Sequence, residues 1–85
     1  MKSFEYIVKD ALGMHARPAG LLAREAKNFK STVMIDNGRK KVNAGQMIGL
    51  MSMGIKQGHT ITVTVEGEDE ETAVVTVEEF FKNNL

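Results

Sequence analysis

Cysteine and tryptophan are absent from this 85-residue chain, proline occurs once, and no apolar run approaches the ~20 residues that cross a bilayer. Without cysteine there is no disulfide and no thiolate metal ligand, and the two histidines, His15 and His59, stand too far apart in sequence to make a good zinc site. A reducing cytoplasm is the compartment that fits. The opening "MKSFEYIVKD" lacks the apolar core of a signal peptide, so a soluble, unprocessed protein without membrane insertion is expected. Excess charge is missing too: eleven basic residues balance eleven acidic ones, and nothing favours nucleic acid or an anionic membrane as partner. Linkers, repeats and low-complexity segments are absent, so residues 1–85 read as a single domain. A chain this short buries only about 60–65% of its unfolded surface. That leaves little room for a deep catalytic cleft and directs attention to the surface.

What is present is an alternation of strand and helix periods. "FEYIVK" puts Phe4, Tyr6 and Val8 on one side of a strand, although Ile7 makes the other side less than fully polar. From Ala16 to Phe29, the residues Ala19, Leu22, Ala23, Ala26 and Phe29 follow helical spacing, which leaves Arg17, Gly20, Arg24 and Lys27 on the opposite side. "TVMID" and "KKVNA" flank "NGR", where Asn37-Gly38 can supply the positive backbone angles of a tight hairpin. "HTITVTVEG" is the clearest strand. The last segment combines strand-like residues with the helical stripe Ala73, Val74, Val77, Phe80 and Phe81, and its length decides for a helix. Asp69 is positioned to cap that helix, and Glu70 and Glu71 suit the positive end of its dipole.

"QMIGLMSMG" is apolar on nearly every side. If Leu50 and Met53 face inward, Met47, Ile48 and Met51 form a small exposed patch, a surface whose thioethers repack readily against different partners. Gly54 reads as its stop and Gly58 as a turn.

The densest chemistry lies in "LGMHARPAGLL", Leu12 to Leu22. His15 falls at the N-cap of the first helix, where the unpaired amides of the first turn point toward its side chain. Pro18 costs little there, because a first-turn N–H has no helical acceptor to lose. A helix N-terminus attracts anions, and Arg17 adds a charged fork. A phosphoryl group on the imidazole would meet backbone donors, the helix dipole and a guanidinium together. The residues alone leave two readings open: a phosphohistidine or anion site, and a helix cap, for which histidine is not a preferred residue. Gly13 is equally open between close approach to a phosphoryl group and an ordinary turn. His59, in "KQGHTITV", has no acidic or histidine company and reads as a solvated loop residue.

"GMHARPAGLL" resembles the active-site motif of the histidine-containing phosphocarrier (HPr) family of the phosphoenolpyruvate-dependent sugar phosphotransferase system. The likeness extends through "KKVNAGQMIGLMSMGIKQG" and "EGEDE" to essentially the whole chain. It implies an α+β, two-layer open-faced sandwich of β-α-β-β-α-β-α order, with a four-stranded antiparallel sheet ordered 1-4-2-3 and three helices on one face. It further implies a carrier, not an enzyme, without metal or other cofactor, acting as a monomer. In this role Nδ1 of His15 takes a phosphoryl group from phosphorylated enzyme I and passes it to sugar-specific IIA domains. Arg17 and the backbone amides of Ala16 and Arg17 stabilise the group. The implied partner surface comprises Ala16, Gly20, Arg24, Lys27, Met47, Ile48 and Met51.

One position departs from the pattern. Members from Gram-positive bacteria carry a regulatory serine at the start of the second helix, phosphorylated by a dedicated kinase, and this chain has Gln46 there. Serine-kinase regulation is therefore expected to be missing, and a nitrogen-regulatory paralogue stays open beside sugar uptake. Two other functions remain. A non-phosphorylated effector module of the same fold predicts a degenerate motif, which intact His15-Ala16-Arg17-Pro18 opposes. A phosphohydrolase using His15 needs a second acid, base or metal that the motif does not offer.

Overall fold

The computed structural model describes all of residues 1–85. The elements run β1 (Lys2–Ile7), α1 (Ala16–Ala26), β2 (Thr32–Asp36), β3 (Lys41–Asn43), α2 (Met47–Ser52), β4 (Thr60–Glu66) and α3 (Glu70–Asn84). The strands form one four-stranded sheet in the order β1-β4-β2-β3, with every neighbouring pair antiparallel. This is the expected α+β topology.

Alternation sets the two faces of the sheet. Val33, Ile35, Val42, Ile61, Val63 and Val65 turn inward and are buried together with Leu22, Leu50, Val77 and Phe81 from the three helices. Glu5, Thr62 and Asp36, paired side by side across β1, β4 and β2, lie on the opposite, uncovered face. Phe81 anchors α3, and its ring meets Phe4 and Tyr6 edge-on with centroids 5.8 and 5.5 Å away. Ala73 and Val77 precede it on the same buried stripe, so the final segment is helical, as its length indicated.

Three local details differ from the sequence reading. Helix α1 ends at Ala26, with Lys27 as its C-cap, short of Phe29. The chain is pulled off the helical path because Asp69 accepts hydrogen bonds from the amides of Lys30 and Ser31, at 3.0 and 2.8 Å. The same bonds correct the cap assigned to Asp69. It occupies the N-cap position of α3, but its carboxylate makes no cap bond and binds the α1–β2 loop instead, including the Ser31 hydroxyl. In the β2–β3 hairpin only Gly38 takes a positive φ, of 93°. Asn37 keeps a negative φ and works through its side chain, whose Oδ1 accepts from Arg39 and Lys40 in a four-residue loop closed by Asn37 N–H to Lys40 carbonyl.

Candidate functional site

The segment between β1 and α1 presents His15. Gly13 sits beneath it with a φ of +65°, and a Cβ there would stand 2.3 Å from the Ile55 carbonyl oxygen. That oxygen accepts the Met14 amide at 3.0 Å. Gly13 is thus required by the close approach of the α2–β4 loop. Met14 is buried, and the next residue, His15, emerges at the helix N-cap with extended backbone angles.

The His15 carbonyl accepts the Ala19 amide at 3.0 Å, which starts the helix, whereas its ring makes no cap hydrogen bond. The cap reading fails on this point, because the imidazole is left free. The amides of Ala16 and Arg17 find no acceptor within the protein, as first-turn amides without a side-chain cap do not. Pro18 fills the next position and is buried. Arg17 is exposed and has no carboxylate within ion-pair distance. A half-exposed imidazole, two N–H donors without acceptors and an unpaired guanidinium therefore occur within three consecutive residues at one helix N-terminus, a setting that favours anions.

Three residues that sequence reasoning did not name lie beside His15 and Arg17. Asp10, His15, Arg17, Pro18, Asn83 and Asn84 line a shallow polar depression of about 180 Å³. The Asp10 carboxylate lies 3.8 Å from His15 Nε2. The end of α3 reaches this place because the Leu85 carbonyl oxygen accepts the amides of Lys9 and Asp10. Asp10 was discoverable, as an acid closely preceding the histidine in "KDALGMH". Asn83 and Asn84 are brought in only by the tertiary fold.

The residues assigned to a partner surface also come together. Met47, Ile48 and Met51 are 37%, 78% and 41% exposed, while Leu50 is fully buried and Met53 nearly so. Helix α1 meets α2 at Gly20, where a Cβ would sit 3.6 Å from the Met47 thioether. Arg24 is exposed on α1 and Lys27 at its C-cap, and the Lys27 stem passes beside Gly45, just ahead of α2. Leu12, in the β1–α1 loop, and Leu21, on α1, are also exposed and were not anticipated. Gln46 is the exposed N-cap of α2 and makes no side-chain cap bond.

The remaining candidates fall elsewhere. His59 is exposed, and its Nδ1 accepts the Lys56 amide at 3.2 Å, so it braces its own loop. Gly54 takes the positive φ of a residue just past a helix end, and Gly58 that of a turn. The acidic groups shifted by the fold, Asp69 and Glu70, lie at the opposite end of α3. The Ser31 hydroxyl, followed by the Lys30 amide, holds the Asp69 carboxyl below its usual range. The Met1 ammonium, with the Gly67 amide, lowers Glu70. Both are structural groups.

The family model described as "PTS HPr component phosphorylation site" matches residues 2–83. The chain belongs to this family of phosphocarriers. It is 39% identical over 85 residues to the phosphocarrier protein HPr of Mycoplasma genitalium, covering 99% of this chain and 97% of that one. Over 67 residues it is 48% identical to the HPr-like protein Crh of Halalkalibacterium halodurans, covering 79% and 80% of the two chains. The solved structure of HPr-C-His from Thermoanaerobacter tengcongensis superposes with a TM-score of 0.90 at 36% identity, over 96% of this chain and 92% of that one. An HPr dimer from the same organism gives 0.76, over 98% and 95%. The family role is that of a phosphoryl carrier in the phosphotransferase system, which is not an enzyme. No helix is long and apolar enough to cross a membrane.

Proposed function

We propose that this protein accepts a phosphoryl group on Nδ1 of His15 from phosphorylated enzyme I and passes it to sugar-specific IIA domains. The observation that carries this reading is the free imidazole of His15 at a helix N-terminus whose Ala16 and Arg17 amides and Arg17 guanidinium are all unpaired. Phosphoryl transfer requires mainly positioning and charge stabilisation. Here the carrier supplies the nucleophile and one half of an anion cradle, and each partner supplies the other half. The shallowness of the depression suits that division, since a phosphohistidine must be reachable by different proteins.

Docking uses Ala16, Gly20, Arg24 and Lys27 together with Met47, Ile48 and Met51. An apolar centre flanked by basic residues fits an acidic-rimmed partner and speeds encounter. Residues 1–85 act as one unit, because the sheet and all three helices share one buried core, and as a cytoplasmic monomer that keeps the exposed Met47, Ile48 and Met51 for its partners. Gln46 removes the hydroxyl that a serine kinase would modify. A second reading is a non-phosphorylated effector module of the same fold, and the relatives of the chain include one named only as HPr-like, Crh. The intact His15-Ala16-Arg17-Pro18 favours the carrier.

The deciding experiment is incubation with phosphoenolpyruvate and enzyme I, followed by mass measurement. A single acid-labile phosphate is expected on the wild-type protein and none on His15→Ala, whose fold should persist because the ring makes no cap bond. Arg17→Ala should slow uptake while leaving stability unchanged, since the side chain is exposed and unpaired. A wild-type protein that remains unmodified would favour the effector module, and rapid release of inorganic phosphate would favour a hydrolase.

A further inference from the structure

Asp10 is held more firmly than a loop carboxylate needs to be. Its amide donates to the Leu85 carbonyl at 2.7 Å, and its own carbonyl accepts the Gly13 amide at 3.1 Å. Its Oδ2 accepts the Leu12 amide at 2.9 Å, which closes a local side-chain turn. The same Oδ2 is the atom 3.8 Å from His15 Nε2. That distance is a charge contact, longer than a hydrogen bond. Its direction is informative, because it falls on the ring nitrogen opposite to the one assigned as nucleophile.

We propose that Asp10 is a positioning residue for phosphoryl transfer: it keeps the His15 proton on Nε2 and stabilises the cationic ring formed when Nδ1 attacks phosphorus. The inference rests on the carrier reading of His15. In the step considered, the Nδ1 lone pair forms the N–P bond as the donor's bond to phosphorus breaks, and the donor departs with that electron pair. The Nε2–H stays in place. The imidazole therefore gains a positive charge while the phosphoryl oxygens keep their negative charge. A negative charge beside Nε2 is stabilised more strongly by the cationic ring than by the neutral one, so it acts on the transition state. The work is divided by position: Arg17 and the first-turn amides address the phosphoryl oxygens, and Asp10 addresses the ring. Asn83 and Asn84, the other polar neighbours in the depression, are uncharged.

Asp10→Asn tests this while keeping an oxygen for the Leu12 amide. Phosphoryl uptake from phosphorylated enzyme I, measured by rapid quench, should show a maximal rate lower on the order of five- to tenfold, as suits an exposed charge, with KM for enzyme I unchanged. Asp10→Glu should recover most of that rate. Nitrogen NMR of the free protein should show more of the Nδ1–H tautomer of His15 in Asp10→Asn than in the wild type. An unchanged maximal rate in Asp10→Asn, a loss confined to KM, or an Asp10→Glu protein as slow as Asp10→Asn would overturn the inference while leaving His15 as the acceptor. A wild-type protein that takes no phosphate at His15 would overturn the carrier reading and this inference with it.

Discussion

The thioether of Met47 packs over Gly20, 3.6 Å from where a Cβ on that glycine would stand. This contact joins α1 to α2, and it is ordinary van der Waals spacing, not a clash. Glycine within a helix costs roughly 0.5–1 kcal/mol relative to alanine. Gly20→Ala should therefore raise stability by up to about 1 kcal/mol, read as a higher urea midpoint with unchanged slope. Gly20→Glu should behave differently, because a carboxylate among Arg24, Lys27 and the methionines opposes an acidic partner. Its KM for enzyme I should rise about tenfold, with little change in the maximal rate.

Gly13 should not tolerate the same change. With a φ of +65° and the Ile55 carbonyl oxygen 2.3 Å from a would-be Cβ, alanine meets backbone that cannot step aside. Left-handed geometry alone costs about 1–2 kcal/mol, and the collision adds to it. Gly13→Ala is expected to lose about 3 kcal/mol or more in denaturant titrations, with the His15 loop displaced in NMR spectra. A loss below about 1 kcal/mol would mean that the α2–β4 loop yields easily.

Asp69 ties stability to acidity. Its carboxyl is lowered first by the Ser31 hydroxyl and next by the Lys30 amide, so the folded protein favours the ionised form. A group whose folded pKa lies below its unfolded value of about 3.9 contributes fully above that value. The contribution disappears as pH falls through the lower, folded value. The stability difference between the wild type and Asp69→Asn should accordingly be constant from neutral pH down to about pH 5 and shrink below about pH 4. Urea titrations of both proteins over that range check it, and a difference that grows on acidification would contradict the assignment.

These cases also mark how far the sequence could be read. The element order, the inward stripe of α1 and the split of α2 into buried Leu50 and exposed Met47, Ile48 and Met51 follow from periodicity, which is local. The strand order came from the family likeness, since alternation within a strand does not say which strand lies beside it. Asp69 illustrates the limit. Local rules give an aspartate before a helix to the cap, yet its carboxylate serves a loop 38 residues earlier in the chain. Gly13 is similar, because the residues that forbid a side chain there belong to the α2–β4 loop. The place of His15 and Arg17 at a helix start was legible because that start is itself local. Asp10 is close in sequence but was passed over, for want of a rule that looks behind a histidine for the charge on its other nitrogen.

Gln46 provides the test of regulation. An ATP-dependent HPr kinase should add no phosphate to this protein, and Gln46→Ser should create a substrate, because Met47, Ile48 and Met51 remain exposed for the kinase to bind. The N-cap of α2 is free to accept the change, since Gln46 makes no side-chain cap bond and serine is a preferred cap. Ser52 should not substitute. Its hydroxyl already donates to the Gly49 carbonyl at 2.7 Å and accepts from Lys40 Nζ at 2.8 Å, at the far end of α2. A phosphoserine at position 46 would bring roughly −1.5 to −2 charge to the helix N-terminus, which favours the helix, and place it beside the apolar patch, which opposes docking. In Gln46→Ser treated with kinase and ATP, uptake at His15 should therefore slow, with the loss seen in KM for enzyme I. Uptake by the wild-type protein should be indifferent to the same treatment. Mass spectrometry of the treated wild type decides the matter: a phosphate on Ser52 or any other serine, accompanied by slower uptake at His15, would show that regulation survives without a serine at position 46.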